Sequence, residues 1–201
     1  MDPAQTQAPC ILRASDYRRE RWRNGAGWTR QIHAEPSTTA GIDWDWRLSI
    51  AEIDADAAFS SFPGVERELV LLHGNGLRLR FDDGEVRELM PPHARMPFAG
   101  ERALVGELVD GPTVDFNLMW RRDAIDAQLW HRPLVGTMLV FVEPGETWAL
   151  HLLGGHASFD RGAAGSTMAA GDTALLRSGD ERRRYLLDGG GELLVMRLSP
   201  R

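Results

Sequence analysis

Apolar and polar positions alternate with a period of two along most of the chain, as in strands that bury one face. Leu77, Leu79 and Phe81 interleave with Arg78 and Arg80. Trp44, Trp46, Leu48 and Ile50 share one face of another segment, and Asp45, Arg47, Ser49 and Ala51 share the other. Further strands are predicted from Glu68 to the Gly74-Asn75-Gly76 turn and over 85–89, 102–109 and 113–120; the last places Asp115, Asn117 and Met119 together. Gly74-Asn75-Gly76 reads as a tight hairpin turn, because Asn-Gly tolerates positive φ. Pro91-Pro92 breaks the pattern, and Pro97-Phe98-Ala99-Gly100 reads as a turn. Residues 1–9 read as disordered, and Ile11-Leu12-Arg13 as the start of an edge strand.

From Leu134 the pattern restarts. The stretch 137–142, a turn at Glu143-Pro144-Gly145-Glu146 and the stretch 147–152 repeat the earlier strand-turn-strand after roughly seventy residues. This predicts an all-β chain of two similar antiparallel units, one over 1–125 and one over 126–201, with N-terminal strands contributing to the second. Either unit alone would leave open edges.

Composition narrows the function. The 201 residues include 21 Gly and 11 Pro, and 43% are apolar, which suits a short-stranded β protein with a real core. A net charge of −6 argues against nucleic acid as a partner. All 23 basic residues are Arg, the better bidentate receptor for carboxylates. Cys10 alone excludes an intramolecular disulfide and a cysteine-rich zinc site. The start lacks the basic and apolar regions of a secretory signal, and no apolar run approaches the roughly 20 residues of a membrane span, so a cytoplasmic protein without membrane contact is expected.

No pair of the six histidines has His-x-His spacing, so neither a metal nor another cofactor is expected. Ser60 and Ser61 lack a Gly-x-Ser-x-Gly setting, and no catalytic residue is assigned. What remains is a polar set, Asn24, Thr29, Arg47, Ser49, Arg67, Asp115 and Asn117, with the aromatics Trp22, Phe62, Phe98 and Phe116. Arginines that clamp a carboxylate, with amides that orient it, would bind a small polar acid. Alternatively Arg47 or Arg67 pairs with Glu52, Glu66 or Asp115 and merely ties strands together. Ser60, Ser61, Glu66 and Arg67 would lie at the rim of whatever the sheet encloses.

Four blocks carry a resemblance: 22–32 (WRNGAGWTRQI), 46–51 (WRLSIA), 59–67 (FSSFPGVER) and 115–119 (DFNLM). In this order they resemble the HutD/Ves family. The resemblance implies a bicupin, two antiparallel jelly-roll-like β-barrels packed in one chain, with a pocket in the N-terminal barrel that lacks the usual cupin metal ligands. It implies a sensor or modulator of histidine utilisation that binds an acidic intermediate such as N-formimino-glutamate or urocanate. The site residues are then Asn24, Thr29, Arg47, Ser49, Ser61, Phe62, Arg67, Phe98 and Asn117. The chain departs from the family at Gln31 and His73, both changes that remove negative charge near the pocket. The runner-up is a cupin-type isomerase, hydrolase or oxygenase acting on a small carboxylic acid. Edge strands leave a homodimer possible.

Overall fold

The computed structural model describes residues 8–159 and 166–201; of the segment read as disordered, 1–7 lie outside the described residues. In chain order the strands are β1 (Cys10–Leu12), β2 (Arg18–Arg21), β3 (Gly27–Pro36), β4 (Trp44–Ile53), β5 (Ala57–Ala58), β6 (Val65–His73), β7 (Leu77–Phe81), β8 (Val86–Leu89), β9 (Arg95–Ala99), β10 (Leu104–Leu108), β11 (Thr113–Arg121), β12 (Ile125–Val142), β13 (Thr147–Phe159), β14 (Thr167–Ala169), β15 (Thr173–Arg177) and β16 (Arg183–Pro200). A single 3-10 turn, Ala14–Asp16, is the helical element among the described residues. No helix among them is long and apolar enough to cross a membrane. The chain is all-β, and every strand pairing described is antiparallel.

Two compact units divide the chain. Tyr17–Ile125 forms one; the N-terminal residues up to Asp16, with Asp126–Arg201, form the other. In the second, the sheet order is β1-β15-β13-β16-β12, with β14 against β13. Its core of Leu150, Leu152, Phe159, Leu187, Leu193 and Val195 comes from the sheet's own strands, so the sheet curls over itself. A register shift between Leu152 and Gly154 helps that curl, since a bulge bends its strand.

The Tyr17–Ile125 unit has two sheets, ordered β2-β3-β4-β11-β6-β9 and β5-β10-β7-β8. Their shared core joins Ile53, Leu69 and Leu71 of the first to Leu77, Leu79, Phe81, Leu89 and Leu104 of the second. The burial of Leu77, Leu79 and Phe81 beside the more exposed Arg78 and Arg80 follows the alternation of the sequence. None of the three strand orders closes on itself among the described residues.

Two expected hairpins are not hairpins. β6 pairs with β11 and β9, whereas β7 pairs with β10 and β8, so Gly74-Asn75-Gly76 turns the chain from one sheet into the other. A two-residue hairpin of the Asn-Gly kind needs positive φ at both central residues. Here Gly74 and Gly76 have φ of 106° and 143°, and Asn75 is not among the positive-φ residues. Asn75 instead donates from Nδ2 to the Asp110 carbonyl at 3.1 Å, anchoring the corner. In the other unit, β16 lies between β12 and β13, so those strands do not pair either.

The Pro97-Phe98 turn is also overturned. These residues belong to edge strand β9, where Pro97 faces Glu68 and its missing N–H costs no interior ladder bond. Phe98 is consequently buried in the core.

Candidate functional site

The inner face of the six-stranded sheet changes character along its strands. On β4 it reads Arg47, Ser49, Ala51, Ile53; on β6, Arg67, Leu69, Leu71; on β11, Met119, Asn117, Asp115. The apolar end joins the core between the sheets. The polar end opens into a cavity of about 520 Å³, within the usual range for small-molecule sites.

Strand register assembles that end. Met119 is opposite Arg47 on one side and Arg67 on the other, so the two arginines occupy one row across β4, β11 and β6. Phe98 of β9 continues the row beside Arg67. In the next row Asn117 lies between Ser49 and Leu69, and in the one after it Asp115 lies between Ala51 and Leu71. Thr29 of β3 extends the Asp115 row through Ala51, and its hydroxyl accepts the Trp22 indole N–H at 2.8 Å. The Asn24-Gly25-Ala26-Gly27 loop forms the lip. It is held tight because Gly27 passes the β4 backbone so closely that a Cβ there would lie 2.3 Å from the Glu52 carbonyl oxygen.

Arg67 is buried, with 5% of its surface exposed, and its guanidinium is ringed by Phe59, Phe62 and Phe98 at 5.2, 5.6 and 5.1 Å from the ring centroids. Among the described residues its guanidinium donates from Nη1 to the Ser60 carbonyl at 3.5 Å, and Nε has no partner. Arg47 Nε is also buried without a partner among the described residues. Of the three expected carboxylates, Glu52 pairs with Arg19 and Arg30, Glu66 pairs with Arg122, and Asp115 accepts from Thr113. Burial, and then repulsion from Arg47, lower the Arg67 pKa to about 10, so it remains cationic at neutral pH. Burial also lowers that of Arg47, against the attraction of Glu20.

Asp115 has no exposed surface. Burial raises its pKa to about 7, although the Thr113 hydroxyl, donating to Oδ2 at 2.9 Å, pulls the other way. Asp115 Oδ1 and Asn117 Oδ1 are both buried with no hydrogen-bond partner among the described residues.

Seven of the nine residues singled out from the sequence line the cavity: Asn24, Thr29, Arg47, Ser49, Phe62, Arg67 and Asn117. Ser61 does not; it is exposed and donates to the Glu101 carbonyl at 3.4 Å. Phe98 does not line it either, but packs under Arg67. Arg67 is an interior group rather than part of a rim. Phe116 is buried on the opposite face of β11 from Asp115 and Asn117. Gln31 and His73 are not among the lining residues, and no histidine is. Phe59, Arg21 and Arg23 also line the cavity and were not selected; Asp115, a member of the polar set though not of the nine, lines it too. For Asp115 the signal was its inward parity with Asn117. For Phe59 no local pattern marks a ring that reaches across to Gly106 of β10, where a Cβ would lie 2.7 Å from it.

The HutD family model matches residues 14–195. The chain belongs to the HutD family. This HutD chain is 39% identical over 120 residues to an uncharacterised 21.2 kDa protein in the hutC 3′ region of Pseudomonas putida, covering 59% of this chain and 62% of that one. It is 41% identical over 109 residues to protein Ves of Cronobacter sakazakii, covering 54% and 58%. The matches therefore span about three-fifths of those relatives' lengths. The structure of HutD from Pseudomonas fluorescens SBW25 (formate condition) superposes with a TM-score of 0.82 at 27% identity, covering 96% of this chain and all of that one.

Proposed function

We propose that this HutD chain binds a small acidic metabolite in the cavity and acts as a sensor or modulator of histidine utilisation. A pathway intermediate such as N-formimino-glutamate or urocanate would be the ligand. One observation carries the reading: Arg67 keeps a charged guanidinium buried among three aromatic rings without an ion-pair partner among the described residues. An unpaired buried cation costs several kcal/mol, and a carboxylate bound to it in bidentate geometry offsets that cost. Arg47 adds a second positive charge in the same row. The pathway link is supported by family membership and by the relative in the hutC 3′ region. We place the protein in the cytoplasm as part of the same proposal.

We also infer a bicupin, each unit being a cupin-like, jelly-roll-like barrel. The two compact antiparallel units support this.

Isothermal titration with urocanate, N-formimino-glutamate, glutamate and formate tests the binding reading. At least one is expected to bind, and Arg67→Ala is expected to weaken it by about 100-fold. No heat from any of them with folded protein would overturn it. An acid–base enzyme is the second reading, favoured by a cavity carboxyl that titrates near neutrality, as catalytic groups do. Following each bound acid by NMR for turnover separates the two readings.

A further inference from the structure

The two arginines account for an anion, but they leave part of the cavity unexplained. Asp115 Oδ1 and Asn117 Oδ1 are buried acceptors without a partner among the described residues. Asp115 is fully buried and Asn117 is 7% exposed, and both line the cavity. Thr113 engages only the other Asp115 oxygen. A buried acceptor left unmade costs on the order of 1–3 kcal/mol, so two of them beside one cavity call for donors. A simple carboxylate has none. Its oxygens are acceptors only, and beside the ionised form of Asp115 they would meet another electron-rich oxygen.

Register fixes how the two halves are disposed. The arginines belong to the Met119 row, Asn117 to the next row and Asp115 to the row beyond. Same-face rows are about 7 Å apart along a strand. In backbone terms Asn117 is thus about 7 Å and Asp115 about 14 Å from the arginine row, so a molecule of several bonds' length, met by the long arginine side chains, can hold its carboxylate at the arginines and present a hydrogen-bond donor to the acceptors. We propose that the cavity selects carboxylates that also carry an N–H donor, with Arg47 and Arg67 taking the anionic end and Asp115 and Asn117 receiving the N–H end. The inference rests on the cavity being the carboxylate site, and it adds the class of acid that the site takes.

Matched probes test it directly. Glutaramate is compared with 5-oxohexanoate, and pyrrole-propanoate with furan-propanoate; each pair has one charge and nearly one shape, and only one member carries N–H. A site built to satisfy a polar group rejects the analogue that lacks it. The N–H member of each pair is expected to bind the wild-type protein at least about tenfold more tightly. The preference is expected to shrink below about threefold in Asp115→Asn or Asn117→Ala. Because the wild-type comparison needs no variant, misfolding of either variant leaves the test intact. Equal affinities within a pair overturn the inference and leave the carboxylate reading standing. Failure of every probe to bind overturns the inference, and the titration with the four acids above then decides the carboxylate reading. A preference that survives in both variants, with unchanged near-UV circular dichroism, removes the assignment to Asp115 and Asn117.

Discussion

Arg47 and Arg67 stand in one row of the sheet, each opposite Met119, and neither forms an ion pair with a carboxylate among the described residues. Two cations are thus held about 10 Å apart in backbone terms, the width of two strand spacings. Their repulsion is one of the causes that lower the Arg67 pKa. A fold gains nothing from such a pair on its own, because buried charges stabilise only when paired.

The first prediction follows from that cost. Arg67→Met keeps a long side chain among Phe59, Phe62 and Phe98, where a thioether packs well. Without ligand the variant is expected to be more stable than wild type by about 1–3 kcal/mol in urea unfolding, and to lose acid binding. A destabilised variant would mean that the guanidinium is already compensated in the fold.

The lip of the cavity depends on one close backbone approach. Alanine at position 27 would place its Cβ 2.3 Å from the Glu52 carbonyl oxygen, and that backbone cannot yield without opening the β3–β4 ladder at Trp28 and Glu52. Gly27→Ala is expected to cost about 2–3 kcal/mol by chemical denaturation. A loss smaller than the roughly 1–2 kcal/mol expected for Gly25→Ala, where φ is 75°, would contradict this ordering.

Parity along strands was legible in the sequence, because period-two alternation puts Arg47 with Ser49 and Asp115 with Asn117 whatever the neighbours are. The register that sets those faces in common rows was not. It depends on which strands pair, and the Asn-Gly signal at the 74–76 corner pointed to a hairpin where the chain changes sheet. Composition likewise could not say whether Arg47 and Arg67 were tied to carboxylates. With many arginines present, Glu52 and Glu66 had several suitors, and it took the fold to give them to Arg19, Arg30 and Arg122. Phe98 was hidden by Pro97, since proline signals a turn in sequence but is tolerated on an edge strand.

The turn that follows β1 is tied down by a carboxylate of its own unit. Asp172 accepts the Arg13 guanidinium at 2.8 Å and the backbone N–H groups of Ala14 and Ala169 at 2.9 and 3.1 Å. Burial pushes its pKa up, but these donors outweigh burial and leave it below the ordinary aspartate value. Its contribution is therefore present at neutral pH and lost as the pH falls through the depressed pKa. Asp172→Ala is expected to cost about 1–3 kcal/mol. Hydrogen exchange should show faster exchange at Cys10–Leu12 where β1 pairs with β15; unchanged protection there would show that the ladder alone holds the strand.

Asp115 gives the opposite pH dependence. Its folded pKa of about 7 lies above the ordinary value of 3.8, so the folded state binds more protons than the unfolded state between those limits. Stability must then fall as the pH rises from about 4 to about 7 and level off above that. Asp115→Asn keeps the shape and removes the ionisation. Relative to wild type it is expected to be neutral near pH 4 and more stable by about 2–4 kcal/mol near pH 8, the upper figure being the full shift converted at 1.36 kcal/mol per unit. Urea midpoints of both proteins at acidic, neutral and mildly basic pH measure that difference. A constant gap would show that the carboxyl is not the titrating group. Should glutaramate bind as proposed, saturating it is expected to narrow the gap near pH 8, because its N–H would stabilise the ionised carboxylate of wild type and find a weaker acceptor in the variant. A saturating ligand without an N–H is expected to leave more of the gap in place.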